Sequence, residues 1–264
     1  MKKILIIGSK SFIGINLKIY LSFFFEVDIF SFENIIKKDV LFFDKYSHVI
    51  NTSIHKKYIL KKYHKSYDLD KRFIEKFRTI NFLYIFLNSR KVYLPKENIN
   101  EKSKLEPIDI YARNKLVTEK YLLSKIKKNL VSLRISNIIG KRVKKSNRNN
   151  HKLFFDNFLN YRKKNKKFYV VDYYKDFISI NQFCFIMRKI ISKNIIGVFN
   201  VSLSQKVYVS EIVQWLDRDF YKKIIFLKPQ KKASFTLSNT KLMKKLKIRI
   251  TKNQLRLFCK RLIS

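Results

Sequence analysis

The chain is poor in glycine, proline, cysteine and acid. Four Gly and three Pro among 264 residues leave no flexible or low-complexity linker, and no segment repeats, so solenoid and linker-joined architectures are excluded. Two cysteines, Cys184 and Cys259, stand without CxxC or Cys/His spacing. That excludes a disulfide framework and predicts structural thiols in a reducing compartment. The four histidines, His48, His55, His64 and His151, have no metal-ligand spacing, so no metal is expected and they are assigned surface or cofactor-edge roles. No apolar run reaches the roughly 18 residues that a membrane-spanning helix needs. The opening "MKKILIIGSKSFIG" is interrupted by Gly8, Ser9 and Lys10 and has no small-residue cleavage site, so it does not read as a signal peptide. A cytoplasmic protein is expected.

What is present is apolar, aromatic and basic. With 46% hydrophobic and 15% aromatic residues, the chain can bury a large core and need not be disordered. Lys and Arg number 59 against 19 Asp and Glu, a net charge of +40. Such a charge raises nucleic acid as a partner. Lys is scattered over every segment and outnumbers Arg several-fold, whereas nucleic-acid binders concentrate basic residues and favour Arg for bidentate contacts. Abundant Lys, Asn, Ile, Phe and Tyr is what AT-rich coding produces, and nucleic acid is not expected as a partner.

Along the chain, "KKILIIG" predicts a strand, "SFIGINLKIYLSFF" a helix, and "EVDIFSF" and "HVINTS" two further strands. Residues 57 to 78 carry Lys and Tyr on a helical period, and "INFLYIFLNS" is too continuously apolar to face water, which makes it a central strand. A loop with Pro95 and Pro107 leads to the helix "YARNKLVTEKYLLSKI", and "LVSLRISNIIG" reads as the next buried strand. A basic loop "KRVKKSNRNN" precedes a helix near 151 to 164, another near 181 to 192, the strand "GVFNVS", and helices near 208 to 217 and 238 to 246. Alternating strands and helices predict an α/β fold, a Rossmann-like doubly wound parallel sheet. Residues 1–140 are expected to form its core and 141–264 a smaller lobe interleaved with the end of the sheet.

Between the first strand and helix lies "GSKSFIG", Gly8 to Gly14, where a glycine turn can lay a pyrophosphate on a helix N-terminus. Ser11 stands where a fully glycine-rich turn has its middle Gly, and Phe12 and Ile13 open the helix. At the end of the second strand an acid would accept from the ribose of NAD and repel the 2′-phosphate of NADP. Ser31 holds that place, with Glu33 two residues on and Lys37 and Lys38 nearby, so NAD or NADP is expected with NADP favoured. In "IYARNK", Tyr111 and Lys115 are four apart and share a helix face. A phenol serves as a base near neutral pH only when a neighbouring cation favours its ionised form. Ser89 closes the strand "LNS" at its C-terminal end, where open α/β sheets hold ligands.

Taken together, "GSKSFIG", "NSRKVY", the loop from Glu101 to Pro107, "YARNK" with Glu119 following, "LRISNIIG", "KDFISI", "GVFNVS" and "FTLSNTKLMKKLKI" resemble the extended short-chain dehydrogenase/reductase superfamily, in its nucleotide-sugar epimerase/dehydratase and reductase branch. The resemblance covers nearly the whole chain. It implies a bound NAD(P), Tyr111 as acid/base, Lys115 on the nicotinamide ribose, Ser89 orienting the sugar, and Asn137 and Lys175 in the sugar-nucleotide site. The substrate implied is a nucleoside-diphosphate sugar and the setting surface polysaccharide synthesis. A homodimer paired through the helices near 57 to 78 and 111 to 127 is also implied, against the repulsion of a lysine-rich surface.

The chain departs from that pattern in several places. Dehydratases of the branch carry an acidic pair after the strand-end hydroxyl, where this chain has Arg90 and Lys91, so dehydration is disfavoured and epimerase or 4-keto reductase remain. Leu94 replaces a glycine after "VY", Lys175 stands where an arginine grips the nucleotide, and the chain is short. Ser11, Leu94 and Lys175 support an alternative: a catalytically degenerate member that binds a dinucleotide or a polyanion.

Overall fold

The computed structural model describes residues 2–77, 81–141, 154–164, 168–228 and 234–263. In chain order the first elements are β1 (Lys3–Ile7), α1 (Phe12–Leu21), β2 (Glu26–Phe30), α2 (Phe32–Ile35), β3 (His48–Asn51), α3 (Lys56–Leu60), α4 (Leu69–Lys76), β4 (Leu83–Ser89), α5 (Ile110–Ile126) and β5 (Leu130–Ile135). They are followed by β6 (Asn137–Ile139), α6 (Phe154–Lys163), β7 (Phe168–Val171), β8 (Tyr174–Lys175), β9 (Phe177–Ser179), α7 (Ile180–Lys193) and β10 (Gly197–Val201). The last are β11 (Val207–Tyr208), α8 (Val209–Leu216), α9 (Arg218–Tyr221), β12 (Ile224–Leu227), α10 (Thr240–Leu246) and α11 (Lys252–Arg261). The chain divides into two compact units, the first comprising Met1–Leu94, Glu101–Ile135 and Cys184–Asn200, the second the remainder.

The first unit is built on a six-stranded sheet of order β10-β5-β4-β3-β1-β2, flanked by helices, the Rossmann-like fold the sequence predicts. From β5 to β2 every pairing is parallel. Parallel strands covered on both faces need unbroken apolar runs, and β3 and β5 are buried at every residue. Side chains alternate across a strand, so Leu5 and Ile7 enter a cluster with Phe32 of α2, Phe73 of α4, Phe86 of β4 and Leu122 of α5. Phe43 sits at its centre, its ring 5.5 Å from Phe73 and 4.4 Å from Phe77. Phe32, Phe43, Phe73, Phe77, Phe82 and Phe86 are buried here, where large rigid rings fill volume at low entropic cost.

The direction of winding reverses beside β1: β2 lies on one side and β3 on the other. Chain ends diverge at such a switch and leave a crevice at the strands' C-terminal ends. Gly8 follows β1 with φ at 128°, a conformation that favours glycine. Its N–H and that of Ser9 donate to the Phe30 carbonyl at 2.7 and 3.2 Å, tying the turn to the end of β2.

Three expectations need correction. The helical stretch 57 to 78 is broken into α3, a 3-10 turn at Lys65–Tyr67, and α4. His55, His64 and Asp68 each cap a new start with a side-chain acceptor, and such local bonds compete with helix continuation. The run "LVSLRISNIIG" is two strands: β5 follows β4 to Ile135, Ser136 N–H turns to the Val201 carbonyl, and β6 pairs with β9. His48 is no surface or cofactor-edge residue; it is 1% exposed at the start of β3. Of the helix expected near 151 to 164, the described part is α6, while residues 151 to 153 and the basic loop from 142 to 150 lie outside the described residues.

In the second unit, Asp176 is fully buried between β8 and β9. Its carboxylate accepts from the backbone N–H groups of Leu203 at 2.8 Å, Ser204 at 3.0 Å and Leu237 at 3.1 Å. One side chain thus ties its own segment to the loops at 203–204 and 237, in a unit whose described strands pair only two by two, as β6 with β9 and β7 with β12. The helix α11 was not expected from the sequence; it opens on a reciprocal cap between Thr251 and Gln254.

Two stability measurements test these constraints. A Cβ on Gly14 would stand 2.6 Å from both the Gly8 carbonyl oxygen and Thr52 Oγ1, so Gly14→Ala should cost about 2 kcal/mol. Thr52→Ala should restore little in urea unfolding, because the backbone carbonyl remains in the way. Burial, and then the nearby Lys2 charge, pull the His48 pKa from 6.5 down to about 4. Between those values the unfolded chain takes up the proton first, so stability should fall with pH across that window by up to about 3 kcal/mol. His48→Gln should flatten that part of the urea-midpoint profile.

Candidate functional site

The crevice at the switch is shaped by Thr52, just past β3. Its N–H and its hydroxyl both donate to the Ile7 carbonyl, at 2.8 and 2.9 Å, which presses the residue against the glycine turn. A Cβ on Gly8 would overlap Thr52 Oγ1, and one on Gly14 would meet the same atom. Only glycine fits either place. Ser11 caps α1, its Oγ accepting from Gly14 N–H at 3.3 Å. Phe12 and Ile13 begin the helix, whose first N–H groups have no partner within the helix and attract anions. The cradle thus fits a pyrophosphate: close backbone, no Cβ, and a helix N-terminus. Ser31 directly follows Phe30, the residue that receives the turn, and caps α2 by accepting from Asn34 N–H at 3.3 Å. Glu33, Lys37 and Lys38 are exposed beyond it.

At the next strand end, Ser89 closes β4 and its Oγ accepts from Lys91 N–H at 3.2 Å. Lys91 reaches α5: its ammonium pairs with Asp109 at 2.8 Å and lies 6.0 Å from the Tyr111 ring. Asp109 caps α5 through Ala112 N–H at 2.7 Å. The first turn of α5, with Tyr111, is therefore fixed to the segment that carries Ser89. One turn further, Lys115 is buried and donates to the Leu87 carbonyl at 2.8 Å. Its ammonium lies 4.5 Å from the Phe86 ring and 5.7 Å from that of Tyr58, contacts that help offset desolvation. Arg90 and Lys91, where the resemblance would place a dehydratase acid pair, add basic charge here; burial lowers the Arg90 pKa to about 10 against the pull of Asp109.

A second turn on, Glu119 fixes the depth of α5. It accepts from Arg134 Nη2 at 2.7 Å, Arg134 Nε at 3.1 Å and Ser132 Oγ at 2.6 Å, while Arg134 also donates to Tyr93 OH at 2.6 Å. Both charged side chains are at most 5% exposed. The spacing Tyr111, Lys115, Glu119 puts all three on one face. The sequence-predicted residues Gly8, Ser11, Phe12, Ile13, Gly14, Ser31, Ser89, Tyr111 and Lys115 all belong to the first unit.

In the second unit, Asn137 opens β6 and its Nδ2 donates to the Asp176 carbonyl at 3.2 Å. Lys175 precedes Asp176 on β8, its ammonium 5.0 Å from the Tyr173 ring. These two are neighbours through Asp176. Sequence reasoning missed Asn51, Thr52, Asp70 and Arg134. The polar residues after "HVI" and the acids of "YDLDK" were visible, but burial is what gives them meaning.

Both thiols, Cys184 and Cys259, are buried, and burial pushes each up to about 12, which makes them inert packing residues. Among the described residues no group of three His, Cys, Asp or Glu side chains could hold a metal ion. Nor is any described helix long and apolar enough to cross a membrane.

Among solved structures, the chain is similar to UDP-N-acetylglucosamine 4-epimerase from Methanobrevibacter ruminantium M1 in complex with UDP-N-acetylmuramic acid, with a TM-score of 0.81, 16% identity, and 99% of this chain and 97% of that one covered. It is similar to a dTDP-4-dehydrorhamnose reductase from Clostridium acetobutylicum, with a TM-score of 0.77 at 17% identity, over 99% and 98% of the two chains. RMD from Pseudomonas aeruginosa complexed with NADPH gives 0.76 at 16% identity, over 100% and 98%. At such identities the likeness is one of fold. No curated protein matches the chain. The family model described as NAD dependent epimerase/dehydratase family matches residues 41–202. That span is more than half of the chain and holds Ser89, Tyr111, Lys115, Asn137 and Lys175, so the protein belongs to the NAD dependent epimerase/dehydratase family.

Proposed function

We propose that this protein is an NAD(P)-dependent epimerase or 4-keto reductase acting on a nucleoside-diphosphate sugar. The observation that carries this is the Lys115 ammonium, buried at the end of β4 and held by the Leu87 carbonyl at 2.8 Å. A buried ammonium is costly, and one carbonyl uses only one of its three N–H donors. The remaining donors suit the hydroxyls of a nicotinamide ribose. The cradle of Gly8, Ser11, Phe12, Ile13 and Gly14 suits the pyrophosphate, and Ser31, which lacks a carboxylate, suits NADP as well as NAD. When bound, the dinucleotide supplies the acceptor and donor of the hydride.

The chain's own residues handle the proton. Tyr111 takes a proton from the sugar hydroxyl as its carbon is oxidised, and returns one to the oxygen as the carbonyl is reduced. Lys115, one turn on along the same helix face, holds the nicotinamide ribose beside Tyr111. Ser89 donates to the same sugar oxygen and holds it against Tyr111. Arg90 and Lys91 supply no carboxylate for removing water from the sugar, which favours epimerisation or keto reduction over dehydration. Residues 1–140 would carry the cofactor and the reacting groups together with Asn137, and 141–264 would add Lys175 to the sugar-nucleotide site. A cytoplasmic place in surface polysaccharide synthesis follows from that substrate class.

Titration with NADH and NADPH, followed by nicotinamide fluorescence, tests the first step. Saturable binding that favours NADPH and weakens in Lys115→Ala is the expected result. Tyr111→Phe should retain that binding while losing about 10²- to 10⁴-fold in turnover of a nucleoside-diphosphate 4-keto sugar, the usual worth of a general acid/base. Unchanged turnover in Tyr111→Phe would falsify the mechanism. A folded wild type that binds neither nucleotide, yet binds a polyanion with steep salt dependence, would replace the enzyme with a binding protein.

A further inference from the structure

Asp70, in the first turn of α4, is 5% exposed. Its Oδ1 accepts from Asn51 Nδ2 at 2.9 Å and from Tyr84 OH at 2.7 Å. Both bonds end on one oxygen. An asparagine could accept them equally well without the cost of burying a charge, so hydrogen bonding alone gives no reason for a carboxylate. The surroundings give one. Tyr84 and Phe86 lie two apart on one face of β4; Asp70 is bound to the first and the Lys115 ammonium lies over the second. Tyr58 closes the triangle, lining a shallow hollow with Asp70 while its ring lies 5.7 Å from Lys115 Nζ. Burial lifts the Asp70 carboxyl above its usual range, and Lys115 is the cation that pulls it back.

We propose that Asp70 is a positioning residue for Lys115: its carboxylate is the counter-charge that keeps the ammonium seated at the end of β4 and aimed at the ribose of a nicotinamide dinucleotide. The ribose role rests on the proposed function, whereas the pairing of the two charges does not. A competing account is that Asp70 merely favours the N-terminus of α4 through the helix dipole, which would make its effect independent of Lys115.

Four proteins separate these accounts: wild type, Asp70→Asn, Lys115→Met and the double variant. In urea unfolding, Asp70→Asn should destabilise the chain when Lys115 is present, because a buried ammonium loses its counter-charge. In the Lys115→Met background the same change should stabilise, because it removes a buried carboxylate left alone. That reversal of sign supports the pairing, and an equal effect in both backgrounds overturns it. In NADPH titration, Asp70→Asn should weaken binding about tenfold with Lys115 and less than about twofold without it. Loss of the same size in both backgrounds, or none in either, overturns the positioning role. A wild type that binds neither NADH nor NADPH overturns the ribose role together with the proposed function, and the urea comparison still decides whether the charges are paired.

Discussion

The burial of one ammonium group governs the geometry of the first unit. Lys115 must leave water to meet the Leu87 carbonyl, and the charge is tolerable only where donors and acceptors are already in place. The helix that carries it is accordingly pinned at three successive turns: Asp109 and Lys91 at its start, Lys115 in its first half, Glu119 with Arg134 beyond. A helix held by apolar packing alone can shift or rotate by fractions of a turn at modest cost, because dispersion is not directional. Polar bonds at three levels remove that freedom. Tyr111 inherits its position from them, which is why a half-exposed phenol at the edge of a helix can be placed with the accuracy that proton transfer needs.

Glycine scarcity has its structural counterpart at the switch between β1 and β3. Two of the chain's four glycines, Gly8 and Gly14, stand six residues apart where Thr52 and a backbone carbonyl leave no room for a Cβ. The middle position of the same turn is Ser11, which serves as the cap of α1. A side chain is thus present where it fits and can cap a helix, and absent where backbone approaches backbone.

How far the sequence discloses this depends on whether a feature is periodic or relational. The strands β1 and β4 and the helix α5 are visible because their apolar periods differ from their neighbours'. Glycines 8 and 14, Ser89, Tyr111 and Lys115 are visible because each lies at a defined place in a strand-turn-helix pattern. The division at Ser136 is invisible, since an apolar run is the same whether it pairs with one neighbour or exchanges β4 for β9 on the way. The breaks within 57 to 78 lie in capping by His55, His64 and Asp68, residues that a lysine-rich helical period hides. Asn51, Asp70 and His48 are harder still. Each is polar in sequence and buried in the fold, and only the tertiary partner distinguishes a solvated side chain from one that carries a charge inward.

The charge excess has a structural corollary. Asp68, Asp70, Glu119 and Asp176 are buried, so part of the small supply of acid is committed to internal bonds and is withdrawn from the surface where the lysines stand. Surface ion pairs contribute little in any case, and aromatic rings take over some of that contact: Lys45 and Lys38 lie 4.3 and 5.1 Å from the Phe42 ring, Lys57 5.4 Å from that of Tyr67, and Lys76 5.4 Å from that of Phe77. Long lysine stems cover apolar surface while their heads stay in water. Enrichment in Lys and in Phe and Tyr is thus mutually compatible on this surface. A fold so composed can carry a basic exterior while buried groups such as Glu119 with Arg134 and Lys115 with the Leu87 carbonyl keep the interior geometry fixed.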